Sequence, residues 1–157
     1  LGGSEFYQMM NKAGLHVPEV KIDEVLERYK RFNEAVGKEL MASAHAVSRG
    51  GLAVHLALIA MAGELGMEID LSKVPTDKEL LNFNILYSES AGRFIVTIAP
   101  DNRDEFEKIF EGTQFDLIGH VTETPVLKIR ERTGDLIIEE EITLLKDCWK
   151  KPFGGLI

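Results

Sequence analysis

Between residues 22 and 40 the apolar side chains recur at steps of three and four: Ile22, Val25, Leu26, Tyr29, Phe32, Val36 and Leu40. That spacing predicts an amphipathic helix from about Asp23 to Ala42, with Glu24, Glu27, Arg28, Lys30 and Glu34 on its solvated face. Ser43 to Ser48 reads as a short strand, and Gly50-Gly51 as a tight turn that needs backbone angles open to glycine. From Leu52 to Ala62 His55 is the only polar residue. A helix so apolar on all sides is expected to be buried on every face, and this one, Leu52–Leu65, is expected to be central.

Met67 to Leu71 alternates like a strand with one wet face. Thr76-Asp77-Lys78-Glu79 has capping-box spacing and predicts a short helix reaching about Asn84. Phe94 to Ile98 is a mostly apolar strand, expected at a central position. Asn102 is expected to cap a helix from about Arg103 to Glu111. Phe115 to Thr122 reads as a strand, with His120 half in solvent. Val126–Glu131 and Leu136–Ile138 flank a hairpin turn at Thr133-Gly134-Asp135. Ile142 to Trp149 returns to helical spacing, and Trp149, Pro152 and Phe153 form an aromatic tail expected to pack on its own domain.

Composition narrows the function. The chain has 157 residues, 45% of them hydrophobic, and a formal net charge of −8. That length suits one domain, and the charge argues against nucleic-acid binding by bulk electrostatics. No apolar run approaches the ~18 residues of a membrane span. The single cysteine, Cys148, forms no internal disulfide and is expected to be a packing residue beside Trp149; a reducing cytoplasm suits this usage. The chain opens on Leu1-Gly2-Gly3-Ser4 without an initiator Met, so it is expected to be a fragment of a longer protein.

Three stretches carry candidate chemistry. At Ser43–Val54 the Gly50-Gly51 turn meets a helix N-terminus, where free N–H groups favour an anion; His45 and Arg49 lie beside it. Tyr87-Ser88-Glu89-Ser90-Ala91-Gly92-Arg93 is a polar loop entering a strand. Its Ser88 and Ser90 hydroxyls and the Arg93 fork suit a phosphate or carboxylate, and Glu89 suits a cation or ligand N–H groups; a local Glu89–Arg93 ion pair is the other reading. Gly2-Gly3-Ser4 is either a phosphate cradle or a plain turn, followed by a short helix at Glu5–Lys12. No zinc spacing, phosphate-loop motif or nucleophile elbow is present, so neither a catalytic residue nor a metal ligand is assigned.

The first stretch resembles the S-x-H-D-x-S-x-G-G-L-A-V signature of C-terminal domains in the aminoimidazole ribonucleotide synthetase superfamily. More closely, the chain is similar to the last domain of the phosphoribosylformylglycinamidine synthase II family. Leu1-Gly2-Gly3-Ser4-Glu5-Phe6 fits that family's L-G-G-S-E-[YF], Tyr87 to Phe94 fits [FY]-S-E-S-x-G-R-F, and Ile118 to Thr122 fits I-G-x-V-T. The resemblance implies an α/β (α+β) fold, a mixed β-sheet packed with helices. It implies that residues 1–20 are the junction from an upstream ATP-binding domain, with Gly2, Gly3 and Ser4 at its close, and that residues 21–157 are one C-terminal domain. The parent would be a cytoplasmic ligase of purine biosynthesis. It would use ATP and Mg2+ to activate the amide oxygen of formylglycinamide ribonucleotide as an iminophosphate, which glutamine-derived ammonia displaces to leave an amidine. Its partners would be the upstream domain, the duplicated half of the same chain, a glutaminase subunit and a small accessory subunit. The isolated piece would be non-catalytic and carry no cofactor of its own.

In the family's catalytic half the residue aligned with Ala46 is an acid that helps hold magnesium, and the loop aligned with Ser88-Glu89-Ser90 contacts the ribonucleotide. Here Ala46 has no oxygen to offer a hard cation, and Arg49 would repel one and attract an anion. The expectation is therefore a half that supports the fold, its pseudo-twofold partner domain and an anionic ligand rather than positioning a metal. The competing reading is a binding or dimerisation domain of a sister ATP-dependent enzyme, of the hydrogenase-maturation or thiamine-phosphate kinase type.

Overall fold

A computed structural model describes residues 1–156. The chain divides into two compact units, Leu1–His55 with Leu86–Phe115, and Leu56–Ile85 with Asp116–Ile157.

In the first unit, α1 (Glu5–Met9) and α2 (Ile22–Gly37) precede strand β1 (Met41–Ala46). Helix α2 stops five residues short of the predicted Ala42 because Glu39 turns into the left-handed region at φ 54°. Glu39 N–H then reaches Val36 O (3.0 Å) and Leu40 N–H reaches Ala35 O (3.1 Å). These are the two bonds of a Schellman ending, and the buried Leu40 is the apolar residue that such an ending places against the helix. Glutamate strains that left-handed position where glycine would not. Glu39→Gly is therefore expected to stabilise the chain by about 0.5–1 kcal/mol, read as a higher urea midpoint at unchanged slope.

Strand β3 (Phe94–Ile98) pairs antiparallel with β1, from Met41 opposite Ile98 to Ala46 opposite Phe94. Among the described residues these two strands form a sheet of their own, so the expected central position of Phe94–Ile98 is not found. Its apolar character has another cause. Phe94 stacks on Phe32 (4.5 Å) and meets Tyr29 edge-on (5.3 Å), while Val96 and Ile98 pack on a core of Ala35, Leu40, Phe106, Ile109 and Phe110. The last three come from α5 (Arg103–Phe110), which the sequence placed to within a residue. Asn102 does not cap α5 through its side chain; its Nδ2 donates to Leu40 O (3.1 Å). Arg31 Nη1 from α2 donates to Ile109 O (2.5 Å) and Glu111 O (2.7 Å), satisfying carbonyls at the end of α5. The N-terminal part of the α2 stripe stays open within this unit, with Ile22 74% exposed.

The second unit holds a four-stranded mixed sheet in the order β4-β2-β5-β6. Its strands are β2 (Gly66–Asp70), β4 (Gly119–Thr122), β5 (Val126–Arg130) and β6 (Leu136–Glu141). β2 runs parallel to β5, with Met67 opposite Leu127 and Ile69 opposite Ile129, and antiparallel to β4. All four of those apolar residues are buried. β4 begins at Gly119, four residues later than the strand expected from Phe115. A Cβ at Gly119 would lie 2.1 Å from Glu68 O, so the close pairing there needs glycine. β5 and β6 form the predicted hairpin, Glu131 N–H to Asp135 O and Gly134 N–H to Glu131 O closing its turn. α6 (Ile142–Lys150) is tied back by Ile142 N–H to Pro125 O (3.0 Å) and by Lys146 to Glu64. A mixed sheet with helices packed on it is the α/β class expected.

Helix α3 (Gly51–Gly63) contributes to both units, and it is not buried all round: Val54 is 40% exposed. The helix expected from Thr76 starts instead at Asn82 and runs to Tyr87 as α4. Cys148 is exposed rather than packed, and Trp149 and Phe153 pair with each other at 5.6 Å while each stays about half exposed. Among the described residues no helix is long and apolar enough to cross a membrane.

Candidate functional site

All three candidate stretches fall in the first unit, and the turn, the loop and the residue that follows Gly2-Gly3-Ser4 meet around one carboxylate. The turn Ser48–Gly51 closes through Gly51 N–H to Ser48 O (3.1 Å), with Gly50 at φ 88° and Gly51 at φ 73°. α4 ends beside this turn: a Cβ on Gly51 would lie 2.7 Å from Leu86 O and from the Tyr87 backbone. The loop after α4 then brings Glu89 across. Its Oε1 accepts from Gly50 N–H (2.9 Å), just before the first turn of α3, and from Glu5 N–H (2.9 Å) at the start of α1. Both are charge-assisted bonds, and the positive end of the α3 dipole adds to the first. Phe6 stacks face to face on Tyr87 at 4.5 Å, fixing the same junction from its apolar side.

Arg49 does not stand free as an anion receptor. Its Nε donates to Glu5 Oε1 (2.9 Å) and its Nη2 to the same oxygen. This bond raises the Arg49 pKa, but the side chain is 80% exposed and the pair adds little stability in water. Arg93 forms no local bridge to Glu89: its Nε donates to Ser90 O (3.3 Å) and its Nη2 to Ser88 O, folding the loop on itself. Burial pushes the Arg93 pKa down from its ordinary value. Arg28 Nη1 holds the next turn through Gly92 O (2.7 Å), and the Ser88 and Ser90 hydroxyls lie 3.4 Å apart.

On the other side of the turn lies a line of polar atoms that the sequence showed only as one polar residue in an apolar helix. Ser48 N–H donates to His55 Nε2 (2.9 Å), and Ser48 Oγ sits 3.2 Å from the same nitrogen. That nitrogen is therefore the acceptor, and the proton of neutral His55 resides on Nδ1. His55 Nδ1–H then donates to His45 Nε2 (2.7 Å). His55 is 5% exposed, and burial first, then His45, hold its pKa below the ordinary 6.5. The unfolded chain takes up that proton first, so this contribution to stability is complete above about pH 6.5. It is lost as pH falls through the lower native value.

Gly2-Gly3-Ser4 is a turn and a cap. Ser4, 2% exposed, accepts from Tyr7 N–H (3.4 Å) as the N-cap of α1, and Gly2 O accepts from Gly14 N–H (2.8 Å). Of the residues singled out from sequence, Ser88, Glu89, Ser90, Arg93, His45, Arg49, Gly50 and Gly51 are brought into one neighbourhood. Glu5, Ser48, His55 and Arg28 join them without having been singled out. The arrangement does not fit a bound nucleotide phosphate or a divalent cation. The Gly50 and Gly51 N–H groups are engaged by Glu89 and Ser48, and Ala46 offers no oxygen. Among the described residues no group of three or more His, Cys, Asp or Glu side chains is placed to hold a metal.

Residues 1–131 match the family described as AIR synthase related protein, C-terminal domain. The phosphoribosylformylglycinamidine synthase subunit PurL of Thermococcus gammatolerans is 40% identical over 120 residues, 76% of this chain and 16% of that protein. PurL of Lactobacillus helveticus is 35% identical over 156 residues, 99% of this chain and 20% of that protein. The structure of T. maritima PurL complexed with FGAR superposes at a TM-score of 0.70 with 26% identity, covering 77% of this chain and 20% of that one. Hydrogenase maturation protein HypE, at a TM-score of 0.60 and 16% identity over 71% of this chain and 40% of that one, shares the fold alone. The chain spans between 16% and 20% of the length of the curated relatives it matches.

Proposed function

This chain belongs to the family of AIR synthase related proteins, C-terminal domain, and on that premise we propose that it is the C-terminal domain of a phosphoribosylformylglycinamidine synthase. The longer protein converts formylglycinamide ribonucleotide to its amidine with ammonia as nitrogen donor. The observation that carries this reading is the convergence on Glu89 of the stretches that resemble that family. Leu1–Phe6, Ser48–Gly51 and Ser88–Arg93 form one bonded unit rather than scattered likenesses. In the proposal, ATP and Mg2+ are held by other parts of the longer protein, because the residues here do not fit either. Residues 1–20 are the junction to an ATP-binding domain, and residues 21–157 act as one C-terminal domain in the cytoplasm. A duplicated half, a glutaminase and a small accessory subunit complete the assembly.

Within that domain the loop Ser88–Ser90 and the exposed Arg49–Glu5 pair form the surface that meets the neighbouring part of the longer protein, with His45 and Arg93 supporting it from inside. Glu89, Gly50 and Gly51 hold that surface in place. The sister-enzyme reading rests on a shared fold, and the higher sequence identity to PurL proteins favours the ligase. The full-length protein containing this chain, given formylglycinamide ribonucleotide, ATP, Mg2+ and ammonium, is expected to release ADP and amidine product in equal amounts. The 157-residue chain alone is expected to release none. A folded full-length protein that binds ATP yet forms no amidine overturns the assignment.

A further inference from the structure

We infer that His45, His55 and Ser48 form a proton-driven relay: a proton gained at His45 reverses the hydrogen bonds along the line and releases the Ser48 N–H in the turn that precedes α3. With both imidazoles neutral, the geometry allows one proton arrangement. Ser48 N–H occupies the lone pair of His55 Nε2, so His55 donates from Nδ1 and His45 accepts at Nε2. A second proton on His45 Nε2 would face the His55 Nδ1 proton across 2.7 Å. The bond survives only if His55 changes tautomer, accepting at Nδ1 and carrying its proton on Nε2.

That new Nε2–H then faces Ser48. The backbone N–H cannot accept it, and the Ser48 hydroxyl oxygen, 3.2 Å away, can. The backbone donor is therefore expelled while the side chain takes over as acceptor. One proton at half-buried His45 thus becomes a change in the backbone seven residues before His55.

The surroundings disfavour a proton on His55 itself. Helix α3 carries no other titratable group, and β3 places Ile95 opposite His45. Arg93, entering β3, acts on His55 as a neighbouring positive charge. Glu89 is committed to Gly50 and Glu5, and Glu5 to Arg49, so neither acid is free to neutralise a buried imidazolium.

The test uses the 157-residue chain itself, with imidazole 15N shifts and amide hydrogen-exchange protection followed between pH 8 and 5. As His45 titrates, the His55 signals are expected to pass from the Nδ1–H to the Nε2–H pattern. Ser48 amide protection should fall at least tenfold with the same midpoint, while the β1–β3 amides keep theirs. His45→Gln retains an acceptor that cannot be protonated, and is expected to leave Ser48 protected across the whole range. A His55 that stays Nδ1-protonated below the His45 midpoint overturns the relay. So does Ser48 protection that is independent of pH, or a loss that persists in His45→Gln.

Discussion

Gly51→Ala is expected to destabilise the chain by about 3 kcal/mol or more, the largest effect of any single change in the turn. Two independent penalties add at this position. The backbone sits at φ 73°, where a Cβ is strained, and that Cβ would lie 2.7 Å from three backbone atoms of Leu86 and Tyr87. Those are main-chain atoms at the end of α4, so no flexible side chain can swing aside. The check is a urea midpoint for wild type and Gly51→Ala, with Gly63→Ala as a control whose added Cβ meets nothing closer than Leu65 Cδ1 at 4.0 Å. Equal midpoints for both variants would show that the turn and α4 separate easily, and the tight packing drawn for the site would be wrong.

Glu89→Ala is expected to cost about 2 kcal/mol, because one side chain removes the acceptor of two backbone donors. The loss has a local signature. Glu5 and Gly50 amides should lose exchange protection together, although they are far apart in sequence, while Leu40 and the rest of the α2 ending keep theirs. Glu89→Gln keeps an acceptor oxygen but not the charge, so it should fall between wild type and alanine. Protection of Glu5 that survives Glu89→Ala would mean that Phe6 on Tyr87 alone anchors the N-terminal segment. The carboxylate would then be a bystander.

Much of this fold was legible where burial and periodicity agree. Phe106, Ile109 and Phe110 marked α5, and Thr133-Gly134-Asp135 marked the hairpin, because local chemistry there coincides with tertiary packing. The errors share a cause. Leu40 extended the α2 pattern past its end because a Schellman ending places an apolar residue where the next helical turn would have put one. Thr76 to Glu79 had the spacing of a capping box but no buried apolar run directly behind it. Burial at Ile85 and Leu86 moved the helix to Asn82 instead. Strand neighbours were beyond reach, since the apolar character of Phe94–Ile98 does not say whether a helix or another strand covers it. For the site, the sequence named the loop and the turn but read both as open to a ligand. A carboxylate answering backbone donors 84 and 39 residues away leaves no trace in local spacing. The lone histidine in an apolar helix was the one visible sign of the His55 line.

The parallel pairing of β2 with β5 sets the order in which this chain can fold as it is made. Met67 meets Leu127 about sixty residues later, and the stretch between them includes Leu86–Phe115 of the other unit. As the chain leaves the ribosome, β2 must wait without its partner edge while the residues of the first unit up to Phe115 are still being made. A polypeptide truncated near Phe115 would keep the first unit whole but strand β2 as an exposed apolar edge. Such a product is a natural target for chaperones and proteases, and a lasting pause in translation there would be costlier than one after Arg130.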